Sequence, residues 1–162
     1  MASDCSCTGA AEMVVRKATN TNSSFVSEKS PACQRMLNIV IPGATVLKDA
    51  TQRIFAHGDM VGRKVDDTIF RHKVDEDNLD LYIAGAMCSP WSGMGKRRGF
   101  LSPAARPLIA SMESIVQLQP RAVILENVMN LINQYNIKTL RNTLGNLTGY
   151  TYDFFQLKTQ YL

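Results

Sequence analysis

The sequence predicts an α/β fold built on a doubly wound, mostly parallel sheet, and three observations predict it. Short apolar runs bounded by turn residues alternate with stretches of helical spacing, the pattern of strands joined by crossover helices. One run, Leu81-Tyr82-Ile83-Ala84, is continuous rather than alternating, as short buried strands are, and a second apolar run, Ala122-Val123-Ile124-Leu125, lies downstream of it. The interval between them has room for a loop, a helix around Pro107 to Gln119 and a return strand, which is one crossover unit. Whatever follows each run therefore emerges at the same edge of the sheet. A chain of 162 residues, 45% of them apolar, is enough for one compact domain with its own core.

The elements can be justified in order. A turn-rich start, Ser3 to Gly9, runs into a helix-like stretch from Ala10 to Ala18. Ser24-Phe25-Val26-Ser27-Glu28-Lys29 reads as a strand ending in an acid, followed by Ser30 as N-cap and Pro31 as the first helical residue. Ala32, Cys33, Met36, Leu37 and Val40 continue that helix on one face. Arg63 to Asn78 is charged and turn-rich and reads as an exposed connection, with Asp75, Glu76 and Asp77 a solvated cluster rather than a metal site. Leu108, Ile109, Met112, Ile115 and Val116 again have helical spacing; Lys138 to Leu147 reads as a helix and Tyr150 to Phe155 as a strand. No repeat or low-complexity tract interrupts this order.

A net charge of +4 and a pI near 9.0 permit nucleic-acid binding without demanding it. Four cysteines, two of them in Cys5-x-Cys7, form neither a zinc pattern nor a small disulfide framework, so no metal is expected and a reduced, intracellular compartment fits. Neither a signal peptide nor a membrane-spanning apolar run is present, and no membrane partner is expected.

Position says more than composition. Residues 84 to 100, AGAMCSPWSGMGKRRGF, place a single cysteine, Cys88, just beyond a buried strand and open a loop of small, aromatic and basic residues. A lone cysteine is more often a small buried hydrophobe than a nucleophile. Open parallel sheets, however, build their sites at the carboxyl ends of the strands. The segment resembles the catalytic motif of the cytosine-5 methyltransferases, with Gly85, Cys88, Trp91, Ser92, Gly95 and Gly99 matching; Met87 and Ser89 stand where that family usually has proline and glutamine. A second block, Pro120 to Val128, is similar to the same family's strand ending in Glu-Asn-Val.

The resemblance implies a Rossmann-like S-adenosylmethionine-dependent methyltransferase fold and a chemistry to go with it. Carbon 5 of cytosine is a poor nucleophile; addition of a thiolate, here Cys88, to carbon 6 makes an enamine that can accept a methyl group at carbon 5. Glu126 would hydrogen-bond ring nitrogen 3 and the exocyclic amine. The base must first be flipped out of the duplex. Lys96, Arg97 and Arg98, with Ser92, would hold the nucleic acid, and their phosphate contacts would be salt-sensitive. On the cofactor side the resemblance nominates Glu28 for the ribose hydroxyls, Lys29 beside the adenine, Asp59 and the Met60 backbone at the adenine amino group, and Met87. It also nominates Ser6, Thr8 and Gly9 in an eroded first motif, where Cys7 stands at a glycine position.

The family's strand before the first motif is expected to precede Met1, and its arginine motif, target-recognition region and last helix are expected to lie beyond Leu162. The whole chain, 1–162, is thus read as part of a catalytic domain, truncated at both ends and inactive alone. Three functions follow: a DNA cytosine-5 methyltransferase; a transfer-RNA cytosine-5 methyltransferase of the same motif order; or a binding or regulatory module that keeps the pocket without turnover. The partner is DNA, with RNA an alternative. The compartment would be the nucleus in a eukaryote and the cytoplasm otherwise.

Overall fold

The computed structural model of the chain describes residues 1–74, 79–133, 136–145 and 149–157; the acidic run at Asp75, Glu76 and Asp77 lies outside them. Five parallel strands form the main sheet: β1 (Ala2–Asp4), β2 (Phe25–Ser27), β3 (Thr45–Leu47), β7 (Leu81–Gly85) and β8 (Ala122–Glu126), in the order β3-β2-β1-β7-β8. Among the described residues four helices accompany them: α1 (Ala10–Thr19), α2 (Pro31–Val40), α3 (Arg106–Leu118) and α4 (Asn136–Gly145). The Rossmann-like α/β class expected from the sequence is the class observed.

Alternation across β1 assigns the faces. Asp4 shares a hydrogen bond with Ser111 of α3, whereas Ser3, one residue earlier, bonds Glu12 of α1. Neighbouring strand residues point to opposite faces, so α1 and α3 cover opposite sides of the sheet. On the α1 side Val26, Leu37, Ile41 and Val46 form one cluster, which includes α2. The other side carries the larger core, with Phe25, Leu47, Tyr82, Leu108, Met112 and Ile115 among its members.

Helix ends follow local chemistry. Ser30 caps α2 by accepting a hydrogen bond from the Cys33 N–H, and Pro31 sits where its missing N–H costs nothing. Gly9 begins α1 at φ 80°, and a Cβ there would lie 2.9 Å from Ile41 and 3.1 Å from Leu37. Glycine is thus required twice at that position, by its left-handed backbone and by the closeness of α2.

Three expectations are corrected. The central strand does not precede Met1: Ala2, Ser3 and Asp4 pair with Phe25, Val26 and Ser27 on one side and with Tyr82, Ile83 and Ala84 on the other. Its buried residues Ser3 and Asp4 are polar, which hid the strand from a search for apolar runs. Arg63 to Lys73 is not an open connection, because β4 (Ile54–Ala56), β5 (Asp59–Arg63) and β6 (Ile69–Lys73) make a second, antiparallel sheet. Tyr150 to Phe155 forms no strand; Tyr150 donates its hydroxyl to the Pro120 carbonyl and the residues after it run exposed.

The second sheet joins the first through the Leu47–Lys64 bridge and packs Met60, Phe70 and His72 near Phe25. Between the sheets lies a buried ion pair. Arg53 bonds the Asp4 carboxylate, which also receives the Tyr82, Ser27 and Ser111 hydroxyls. Burial alone would lower the Arg53 guanidinium, but Asp4 and then Tyr82 outweigh it and raise it above its ordinary value. Burial first, and then Asp4, push the Tyr82 hydroxyl up, so it stays a donor. Among the described residues no helix is long and apolar enough to cross a membrane.

Candidate active site at the carboxyl edge of the parallel sheet

The sheet order reverses at β1, whose neighbours β2 and β7 lead away in opposite directions. In open α/β sheets a crevice opens outside the strand ends at such a point. Every parallel strand delivers a polar loop there: Cys5 to Gly9 after β1, Glu28 after β2, Asp49 after β3, the Cys88 loop after β7 and Asn127 after β8.

Register brings Glu126 to the strand end that leads into the Cys88 loop. Gly85 is the partner of Glu126 across β7 and β8, and a Cβ on Gly85 would stand 3.6 Å from Glu126 Oε2. The carboxylate lies over the strand end from which the Cys88 loop departs. Asn127 ties the two segments, donating from Nδ2 to the Ala86 carbonyl at 2.9 Å, while its Oδ1 accepts the Val128 N–H. Asn127 was visible as part of the Glu-Asn-Val block, but only the register shows that it clamps the loop carrying the cysteine.

The loop is held by its own backbone. The Cys88 carbonyl accepts the N–H groups of both Trp91 and Ser92 at 2.9 Å, turning the chain back immediately after the exposed thiol. Trp91 is 1% exposed and meets the Phe100 ring edge to face at 5.5 Å, which anchors the turn in the core. A Cβ on Gly95 would fall 2.0 Å from the Ser89 carbonyl oxygen, so only glycine fits. Gly99, at φ 54°, donates to the Pro90 carbonyl and leaves no room for a Cβ beside Asn136. Beyond this frame Lys96, Arg97 and Arg98 project into solvent, and Met87 is 57% exposed. Ser92 contributes its N–H to the turn and accepts the Met94 N–H at Oγ.

On the other half of the edge, Glu28 is the organising residue. Its Oε2 accepts the Cys7 N–H at 2.9 Å and its Oε1 the Ser30 N–H at 2.8 Å, and each oxygen keeps a further lone pair. Ser6 reaches the Ser3 hydroxyl at 2.8 Å, and its N–H bonds the Ser27 carbonyl. Thr8 is exposed, whereas Gly9 is buried against α2 and is a packing residue. Lys29 forms an ion pair with Asp49 at 3.7 Å.

That pair brings a second acid to this edge, while the acid nominated by resemblance lies in the other sheet. Asp59 and Met60 lie at the start of β5 in the antiparallel sheet. His57 and Gly58, at φ 55° and 78°, make the two-residue turn of a β-hairpin there. Asp59 pairs with Arg71, and the Met60 side chain is wholly buried in the core. Asp49 instead stands two residues past β3, caps a 3-10 turn by accepting from the Thr51 N–H and hydroxyl, and meets Lys29 beside Glu28. The signal for it was in the sequence: a short apolar run, Thr45-Val46-Leu47, followed by an aspartate capping the next turn.

A doubly wound parallel sheet with an exposed thiol loop and a carboxylate at one strand end, and two acids beside the neighbouring strand ends, is an α/β domain with its candidate site at the switch point. The chain belongs to the C-5 cytosine-specific DNA methylase family, whose model matches residues 9–158. It is 33% identical over 86 residues to the type II methyltransferase M.BsuFI of Bacillus subtilis, an alignment covering 51% of this chain and 21% of that protein. It is 24% identical over 123 residues to M.AquIA of Picosynechococcus sp., covering 76% and 46% respectively. Against M.HgiCII of Herpetosiphon aurantiacus the identity is 35% over 77 residues, covering 47% and 17%. In each case the matched region spans less than half of the relative's length.

Proposed function

We propose that this chain supplies the catalytic half of a DNA cytosine-5 methyltransferase. The observation that carries the reading is the Gly85–Glu126 register, which sets the Glu126 carboxylate over the root of the glycine-locked Cys88 loop. Cys88 adds as a thiolate to carbon 6 of a flipped cytosine, and Glu126 hydrogen-bonds nitrogen 3 and the exocyclic amine as charge develops on the ring. Once carbon 5 carries the methyl group, loss of its proton to water restores the ring double bond and expels the cysteine thiolate.

S-adenosylmethionine, when bound, supplies the electrophilic methyl group. The residues present fit it: Glu28 keeps free lone pairs for two ribose hydroxyls, and Asp49 offers an acceptor to the adenine amino group. Lys29 neutralises Asp49 at the rim, while Ser6, Thr8 and Met87 border the methionine end. Lys96, Arg97 and Arg98, with Ser92 shaping the turn, track the phosphates on either side of the flipped base. With DNA as substrate the site of action is intracellular.

Trapping with oligonucleotides carrying 5-fluorocytosine in the presence of S-adenosylmethionine tests this, using the longest polypeptide that carries the sequence and both DNA and RNA probes. The fluorine blocks loss from carbon 5, so a covalent adduct at Cys88 on DNA is expected. An adduct on RNA alone would move the substrate to transfer RNA. Cofactor binding without any adduct would make the chain a non-catalytic module.

A further inference from the structure

Two thiols face each other at the cofactor side of the edge. Cys7 Sγ and Cys33 Sγ are 3.9 Å apart, and both cysteines are free. Cys7 sits in the loop after β1 and Cys33 in the first turn of α2. The two segments grip one carboxylate: the Cys7 N–H donates to Glu28 Oε2, and the Ser30 N–H just before α2 donates to Oε1. A disulfide has an S–S length of about 2 Å, so the sulfurs must close by a similar amount. The exposed Cys7–Thr8 stretch can take up that movement, while Cys33 is fixed by its N–H bond to the Ser30 cap.

We propose that Cys7 and Cys33 form a reversible disulfide that clamps the first loop onto α2 over Glu28 and weakens S-adenosylmethionine binding. The effect on affinity rests on Glu28 being the ribose acid. Once cross-linked, the bridge spans the two segments that grip Glu28, so the ribose meets a fixed bridge where the reduced loop can move aside.

A low-molecular-weight disulfide is the oxidant. The Cys7 thiolate attacks one of its sulfurs, breaking that S–S bond and releasing one thiolate; the Cys33 thiolate then attacks the Cys7 sulfur of the mixed disulfide and releases the second. Two protein thiols are oxidised, the small disulfide is reduced to two thiols, and the protons of Cys7 and Cys33 end on those products. The contact with Cys33, and then burial, hold the Cys7 thiol above its ordinary value, so the exchange quickens as pH rises. Cys5 does not compete, because burial and then Asp4 push its thiol up to about 12.

The test treats the full chain with oxidised glutathione, maps the linked peptides by mass spectrometry, and titrates S-adenosylmethionine into oxidised and reduced protein by calorimetry. A Cys7–Cys33 peptide, a fall in affinity of at least tenfold and its recovery with dithiothreitol are expected. Cys33→Ser should bind the cofactor as reduced wild type does and lose the response to glutathione. Glutathione adducts at Cys7 or Cys33 with no linked peptide, or a linked peptide with unchanged affinity, would overturn the proposal. A linked peptide in a chain whose reduced form binds no cofactor would overturn both the reading of Glu28 and the switch; a missing linkage in a chain that binds cofactor overturns the switch alone.

Discussion

The two halves of the sheet edge are built on different principles. On the β7–β8 side the Cys88 loop is fixed by backbone: paired N–H groups on one carbonyl, a buried tryptophan and glycines at Gly95 and Gly99 where no other residue fits. On the β1–β3 side the frame is charged and lies beneath the strands, in the Asp4–Arg53 pair with its three hydroxyls, while the loop above carries side chains at Cys7 and Thr8. The contrast teaches that the Cys88 loop is locked by glycines that admit no Cβ, whereas the β1–β3 side keeps its position through a buried network beneath an exposed rim.

Removing the nucleophile gives the largest effect and marks the reacting half most sharply. In a polypeptide that turns over, Cys88→Ser should lower the rate by at least about 1,000-fold with cofactor affinity unchanged, as single-turnover kinetics and calorimetry would show. Substantial residual activity would take Cys88 out of the mechanism.

Asp4→Ala probes the buried frame of the other half. It leaves the Arg53 guanidinium uncompensated and should destabilise the chain by about 3–5 kcal/mol, read as a loss of denaturant midpoint. A change under 1 kcal/mol would mean that the pair behaves like a surface ion pair and that the two halves differ less than their geometry suggests.

Gly95→Ala tests whether backbone alone sets the reacting loop. The new Cβ collides with the Ser89 carbonyl, and displacement of the thiol by an ångström costs on the order of 100-fold in rate with little change in cofactor affinity. Normal turnover would show that the loop can relax around a methyl group.

Glu28→Gln removes a charged acceptor from the cofactor half. The loss of about 1.5–3 kcal/mol expected for hydrogen bonds to a charged group predicts cofactor binding weaker by about 10- to 100-fold, with the fold intact by circular dichroism. The smallest effect belongs to the rim: converting Lys96, Arg97 and Arg98 to glutamine should reduce the salt slope of DNA binding by about 1 per residue without changing cofactor affinity.

Much of this was legible in the residues. The continuous runs at Leu81 to Ala84 and Ala122 to Leu125 became β7 and β8, and the Ser30-Pro31 signal became the start of α2. These features are local, and local rules reach them. The strand at Ala2–Asp4 was missed because Ser3 and Asp4 are polar and become strand residues only when hydroxyls and a guanidinium from distant segments satisfy them. Asp59 was nominated by resemblance and Asp49 was not, although each acid follows a short apolar run. Only the pairing of β5 with β4 and β6, rather than with β3 along its length, separates the two.

By itself, then, the sequence determined the α/β class and the crossover that sends β7 and β8 out at one edge, while the thiol and carboxylate placed there were nominated by resemblance. The class and the crossover depend on periodicity, caps and spacing within a few dozen residues. The tertiary structure decided the central strand, the buried Asp4–Arg53 network, the placement of Asp49 beside Glu28 and the approach of Cys7 to Cys33. Those join residues far apart in the chain, and their energies come from desolvation and hydrogen-bond satisfaction that exist only once the core has closed.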